Sequence, residues 1–177
     1  MKYEAIKKGL IITGIIIIGL SVIELVNIML LWNVRLNLDG DKIFFSELII
    51  PDLQIISLLF FIVSCICFFF IIGIIIINEA LRKKLDNDLL ARYIFVIGVL
   101  ILMLSFIKLG YITLLSKTEI NFSGETIKFQ SLLYKQPFFV IAIWIFFTIV
   151  VCCNFILGLI LAAAGLKWSL ELSEKKP

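Results

Sequence analysis

The chain predicts an all-α integral membrane protein: four transmembrane helices in two parallel helix–hairpin–helix repeats, with a small extracytoplasmic antiparallel β-sheet. Three observations predict it. Of 177 residues, 62% are hydrophobic and 16% charged, and the mean hydropathy is +1.16; a soluble domain is nearer half apolar and about a quarter charged. Four apolar runs each reach the roughly 20 residues that a helix needs to cross hydrocarbon. The segment joining the first two runs is echoed, further along the chain, by the segment joining the last two.

The runs are Gly9–Trp32, Leu53–Asn78, Tyr93–Leu115 and Phe138–Leu161. Lys2, Lys7 and Lys8 precede the first, but it is too long for a signal-peptide core and no A-x-A site follows, so it is expected to stay as a helix. After it, Val34–Phe45 carries Asp39-Gly40, a pair suited to a two-residue type I′ turn. Pairing across that turn sets Val34, Leu36, Ile43 and Phe45 on one face and Arg35, Asn37 and Lys42 on the other. In Thr118–Phe129, Ser123-Gly124 sits at the turn, and Ile120, Phe122, Ile127 and Phe129 share the apolar face. An isolated hairpin is marginal, so the two are expected to pair into one sheet that caps the helices. Leu81, Leu85 and Leu89 predict that the second helix runs on as an amphipathic extension. Beyond the fourth run, Leu166, Trp168, Leu170 and Leu172 suit either a solvated helical tail or a segment along the headgroups with Trp168 as anchor. The whole is one membrane domain, 1–177, with repeat 1 at about 9–79 and repeat 2 at about 93–164.

Orientation follows from Lys and Arg in the short flanks. The N-terminus, the Ala80–Arg92 loop and the C-terminus hold Lys2, Lys7, Lys8, Arg82, Lys83, Lys84, Arg92, Lys167, Lys175 and Lys176; the other two loops hold Arg35, Lys42, Lys117, Lys128 and Lys135. Ten against five predicts a multi-pass protein of the cell membrane with both termini cytoplasmic.

A shift of 84 residues lays Glu24–Ile50 on Lys108–Tyr134, with Leu25/Leu109, Ile28/Ile112, Leu30/Leu114, Leu31/Leu115, Asn37/Asn121, Gly40/Gly124, Ile43/Ile127, Phe45/Phe129 and Leu48/Leu132 identical. One further residue of offset aligns Cys67/Cys152, Phe70/Phe155, Ile71/Ile156 and Gly73/Gly158. Leu and Ile recur by composition, so Asn, Gly and Phe carry the weight. Repeats in the same orientation imply a pseudo-twofold axis along the membrane normal.

Glu24 and Lys108 are the charges well inside the spans, and they occupy the same position in the two repeats, about 12 Å below the outer end of each helix at 1.5 Å per residue. Burying either alone costs roughly 2.5–3.5 kcal/mol. An intramembrane ion pair between the first and third spans is therefore expected, serving to fix helix packing or, alternatively, as part of a solute or proton path. Asn27 and its counterpart Tyr111 lie one turn outward and are candidates for a polar pocket; interhelical hydrogen bonding is their ordinary use. Asn154 lies within the fourth span, and Gly158 and Ala162 suit close helix contact or dimerisation.

With no histidine, Ser-His-Asp and Cys-His catalysis, His-held haem and His-based zinc are excluded. A net charge of +3, dispersed along the chain, gives no argument for nucleic acid. Cys65, Cys67, Cys152 and Cys153 fall mid-span in spacings that match neither zinc nor thioredoxin patterns, and read as small apolar residues. No metal and no cofactor is expected. Asn121-Phe122-Ser123 fits the glycosylation sequon.

The helix spacing, the Arg92-Tyr93-Ile94-Phe95 start of the third span and Leu170-Glu171-Leu172-Ser173-Glu174 after the fourth resemble a bacterial membrane family classed only as a domain of unknown function, small four-helix proteins with a short acidic tail. Family tails of this sort run through acidic residues to Leu-Thr-Val, whereas this chain ends Lys175-Lys176-Pro177. The resemblance implies no known catalysis, and regulatory partners. The outline is also similar to claudins, but their outer Trp and paired Cys are missing. The expected function is non-enzymatic: an accessory, regulatory or structural membrane protein acting through protein contacts, with the lipid bilayer and either a membrane protein partner or a homo-oligomer. The alternative is a small-solute or ion transporter using the Glu24–Lys108 pair; a redox enzyme built on the cysteines is third.

Overall fold

In hydrocarbon a backbone can bond only to itself, and long runs of Ile, Leu and Phe therefore resolve into helices. The computed structural model describes residues 2–38, 41–82, 87–122, 125–136 and 138–174. Its elements run α1 (Lys2–Trp32), β1 (Arg35–Leu38), β2 (Asp41–Phe44), α2 (Phe45–Ile49), α3 (Leu53–Leu81), α4 (Asn87–Lys117), β3 (Glu119–Phe122), β4 (Glu125–Lys128), α5 (Phe129–Tyr134) and α6 (Phe138–Ser173). Helix, hairpin, short helix, helix thus occurs twice in the same order. α1, α3, α4 and α6 are each long and apolar enough to cross a membrane, and the chain is a membrane protein by that measure. At 1.5 Å per residue α1 is about 46 Å long, more than a bilayer core needs.

Helix ends are set by local chemistry. Pro51 cannot continue a helix, and Asp52 caps α3, its carboxylate accepting from the N–H groups of Gln54 (2.9 Å) and Ile55 (3.2 Å). α3 stops at Leu81, because Arg82 is extended (φ −60°, ψ 131°). The expected amphipathic extension passes Asn78 only as far as Leu81: Leu89 belongs to α4, and Leu85 lies outside the described residues. Lys7 Nζ donates to the freed Arg82 carbonyl at 2.6 Å, tying α1 to this junction. α6 continues unbroken through Leu166, Trp168, Leu170 and Leu172, with Trp168 packed on the core at the terminal end.

α1 packs on α3, α3 on α4, α4 on α6 and, more sparsely, α6 on α1. The tightest seams have no room for side chains. A Cβ on Gly14 would meet the Gly73 carbonyl at 2.9 Å, and one on Gly98 would lie 2.3 Å from the Ala162 nitrogen. Gly158 and Ala162 are thus spent on contact between α4 and α6 within the chain.

The two hairpins are antiparallel, with Leu36 opposite Ile43 and Ile120 opposite Ile127. The apolar face lies inward: Leu36, Ile120, Phe45 and Phe129 are buried. Among the described residues the expected single sheet does not form; the hairpins are two separate two-stranded sheets. The Gln136 side chain closes one route to a single sheet. Its Oε1 accepts from Asn37 N–H (2.9 Å) and its Nε2 donates to Asn37 O (3.2 Å), so an amide occupies the β1 edge where another strand would bond. The hairpins meet instead through the edge-to-face rings of Phe45 and Phe129, 5.9 Å apart. Both turn pairs, Asp39-Gly40 and Ser123-Gly124, lie outside the described residues, as does Ser123 of the sequon.

Candidate functional site

Two apolar cores fill the molecule, one under the hairpins and one toward the termini. A polar layer separates them. Within it Glu24 of α1 and Lys108 of α4 are both fully buried, and Lys108 Nζ donates to Glu24 Oε1 in an ion pair. Since α1 and α4 touch α3 and α6 rather than each other along their lengths, this pair bridges the centre of the bundle.

Ser21 and Ser105, each one turn toward the termini from its charge, are buried and satisfy themselves on their own helices. Ser21 Oγ donates to the Ile17 carbonyl at 2.9 Å and Ser105 Oγ to the Ile101 carbonyl at 2.7 Å. The Phe69 ring lies 5.8 Å from Lys108 Nζ, a cation–π distance. Asn154 of α6, buried, stands in the position that Phe69 holds in α3 under the 85-residue offset. No described donor reaches Glu24 Oε2 or Asn154 Oδ1.

The structure brings Glu24 and Lys108 together and leaves Asn27 and Tyr111 apart from any pocket described below. Asn27 is half-buried, and the Tyr111 ring stacks on Phe61 at 4.8 Å with the planes 4° apart. Cys65 is buried, Cys153 half-buried, and Cys67 and Cys152 face outward; all four are free thiols. Among the described residues no three His, Cys, Asp or Glu side chains gather as a metal site.

Among the described residues, the cavities at the hairpin end include two that lie between the long helices. The first, about 220 Å³, is apolar and reaches from the outward rings of Trp32 and Phe60, past Leu59 and Ile62, to Trp144 and Phe147. The second, about 370 Å³, lies against α4, α5 and α6 and includes Thr113, Ser116, Gln130, Tyr134 and Thr148 beside Trp144. Sequence reasoning missed both cavities and the buried serines. The serines were within reach, because the 84-residue register continues upstream through Gly14/Gly98, Ile17/Ile101 and Ser21/Ser105.

Comparison with protein-family models, curated proteins and solved structures finds no match to this chain.

Proposed function

We propose that this is a non-enzymatic, multi-pass protein of the cell membrane, with both termini cytoplasmic and the hairpins outside. It serves as an accessory, regulatory or structural subunit through contacts with another membrane protein. Its halves are parallel repeats about a pseudo-twofold axis. Support for the duplication comes from burial: Leu10 and Ile94, Ile17 and Ile101, and Leu31 and Leu115 are paired by the same offset, and all six are buried.

One observation carries the functional reading. The two charges inside the helices are bonded to each other, fully buried, and sealed between two apolar cores, so they join helices rather than meet a solute. A second reading, a small-solute or ion transporter, is favoured by Glu24 Oε2 and Asn154 Oδ1, two buried acceptors with no described donor. The test is native mass spectrometry of the assembly extracted from its own membranes in mild detergent. A stoichiometric second protein is expected. A homo-oligomer lacking any other protein would overturn the accessory reading and make ion flux through a Glu24→Gln variant the next measurement.

A further inference from the structure

The apolar side cavity has a counterpart that can be read from the duplication. Under the 85-residue offset Leu59 corresponds to Trp144, and Ile62 to Phe147. In the second half the Trp144 ring lines the groove between α4 and α6. In the first half Leu59 stands in its place, and the space runs inward until it meets Trp144 and Phe147 themselves. The two cavities are counterparts: Ile28, Trp32, Ile56, Leu59, Phe60 and Val63 line the first where Ile112, Ser116, Ile141, Trp144, Ile145 and Thr148 line the second, and only the first is wholly apolar.

At about 220 Å³ it exceeds the roughly 150 Å³ apolar cavity that stays dry and takes up a benzene-sized guest. Water would need 2–4 polar partners there, and the wall is built almost wholly of Ile, Leu, Val and aromatic carbon. Its mouth lies on the flank of α1 and α3, where Trp32 is 40% and Phe60 66% exposed. On a helix flank that faces hydrocarbon, the apolar molecule at that mouth is a lipid. We propose that this cavity is a binding site for an acyl chain of a membrane lipid, entering between Trp32 and Phe60.

The chain has three tryptophans, and two of them, Trp32 and Trp144, line the cavity. The full-length protein carrying Trp32→Phe and Trp168→Phe keeps Trp144 as its one indole. It is reconstituted into phosphatidylcholine vesicles whose acyl chains are dibrominated near their midpoint, since bromine quenches indole fluorescence on contact. The comparison protein adds Leu59→Phe and Ile62→Phe, placing rings where the second half already packs them. Strong quenching of Trp144 is expected in the first protein, and loss of most of it in the second. Equal quenching in both, the mark of lipid meeting Trp144 at the surface or from the second cavity, overturns the proposal, as does no quenching in the first. Circular dichroism checks that the double ring variant is folded; if it is not, Leu59→Phe alone makes the same comparison.

Discussion

Single side chains decide which helices and hairpins meet. A carboxylate or an ammonium placed alone at the centre of a membrane helix costs roughly 2.5–3.5 kcal/mol, and the lone partner of a broken buried pair costs about 3–5 kcal/mol. Glu24 and Lys108 avoid both costs by facing each other, buried, from different halves of the chain. At the hairpin end Gln136 plays the corresponding part with neutral atoms, bonding Asn37 through both ends of its amide and reaching the Leu132 carbonyl at 3.2 Å. Gln136→Ala is expected to cost about 1–3 kcal/mol and to speed amide hydrogen exchange at Asn37; unchanged exchange there would mean that the link does not hold the hairpin. Glu24 and Lys108 were legible in the sequence because a charge in an apolar run has few destinations. Gln136 was not, because a glutamine before a proline is ordinary and its partner is 99 residues away.

At the scale of elements, the long helices were readable from hydropathy and their ends were not. α1 begins at Lys2 and α4 at Asn87, several residues before the apolar runs, because a helix continues through polar flanks once its backbone bonds are established. The short helices α2 and α5 left a signal that the hairpin reading absorbed: Phe45, Leu48 and Ile49, and then Phe129, Leu132 and Leu133, stand at i, i+3 and i+4 just ahead of a proline, and all six are buried. The one-sheet expectation failed in a fold where Gln136, not a strand, bonds the β1 edge. Glycine seams set how closely the helices approach. Gly98→Ala would drive a Cβ to 2.3 Å from the Ala162 backbone, and a loss of about 1–3 kcal/mol is expected from that overpacking. Gly110→Ala meets nothing within 4 Å and should hold or gain up to about 1 kcal/mol from helix propensity. Thermal unfolding of the two variants in the same detergent checks the contrast; equal midpoints would show that the seam yields.

For the whole molecule, the proposed duplication places equivalent positions on either side of one axis, and the two halves have diverged where it matters. Glu24 answers Lys108, Phe69 answers Asn154, and Leu59 answers Trp144. Like positions thus carry opposite charges in one layer, which closes the bundle, and in another they leave one side cavity apolar while its counterpart carries Thr113, Ser116 and Thr148. The cavity stayed illegible in the sequence because its wall is assembled from several helices, which no single run of residues displays. The central claim is that Glu24 and Lys108 occupy equivalent places and act as one structural pair. Its most direct test is the thermal stability, in one detergent, of Glu24→Lys, Lys108→Glu and the protein carrying both changes. Each single variant sets like charges together in the buried layer and is expected to lose at least about 3–5 kcal/mol, while the exchanged pair returns most of that loss. An exchanged protein no more stable than the worse single variant would contradict the account.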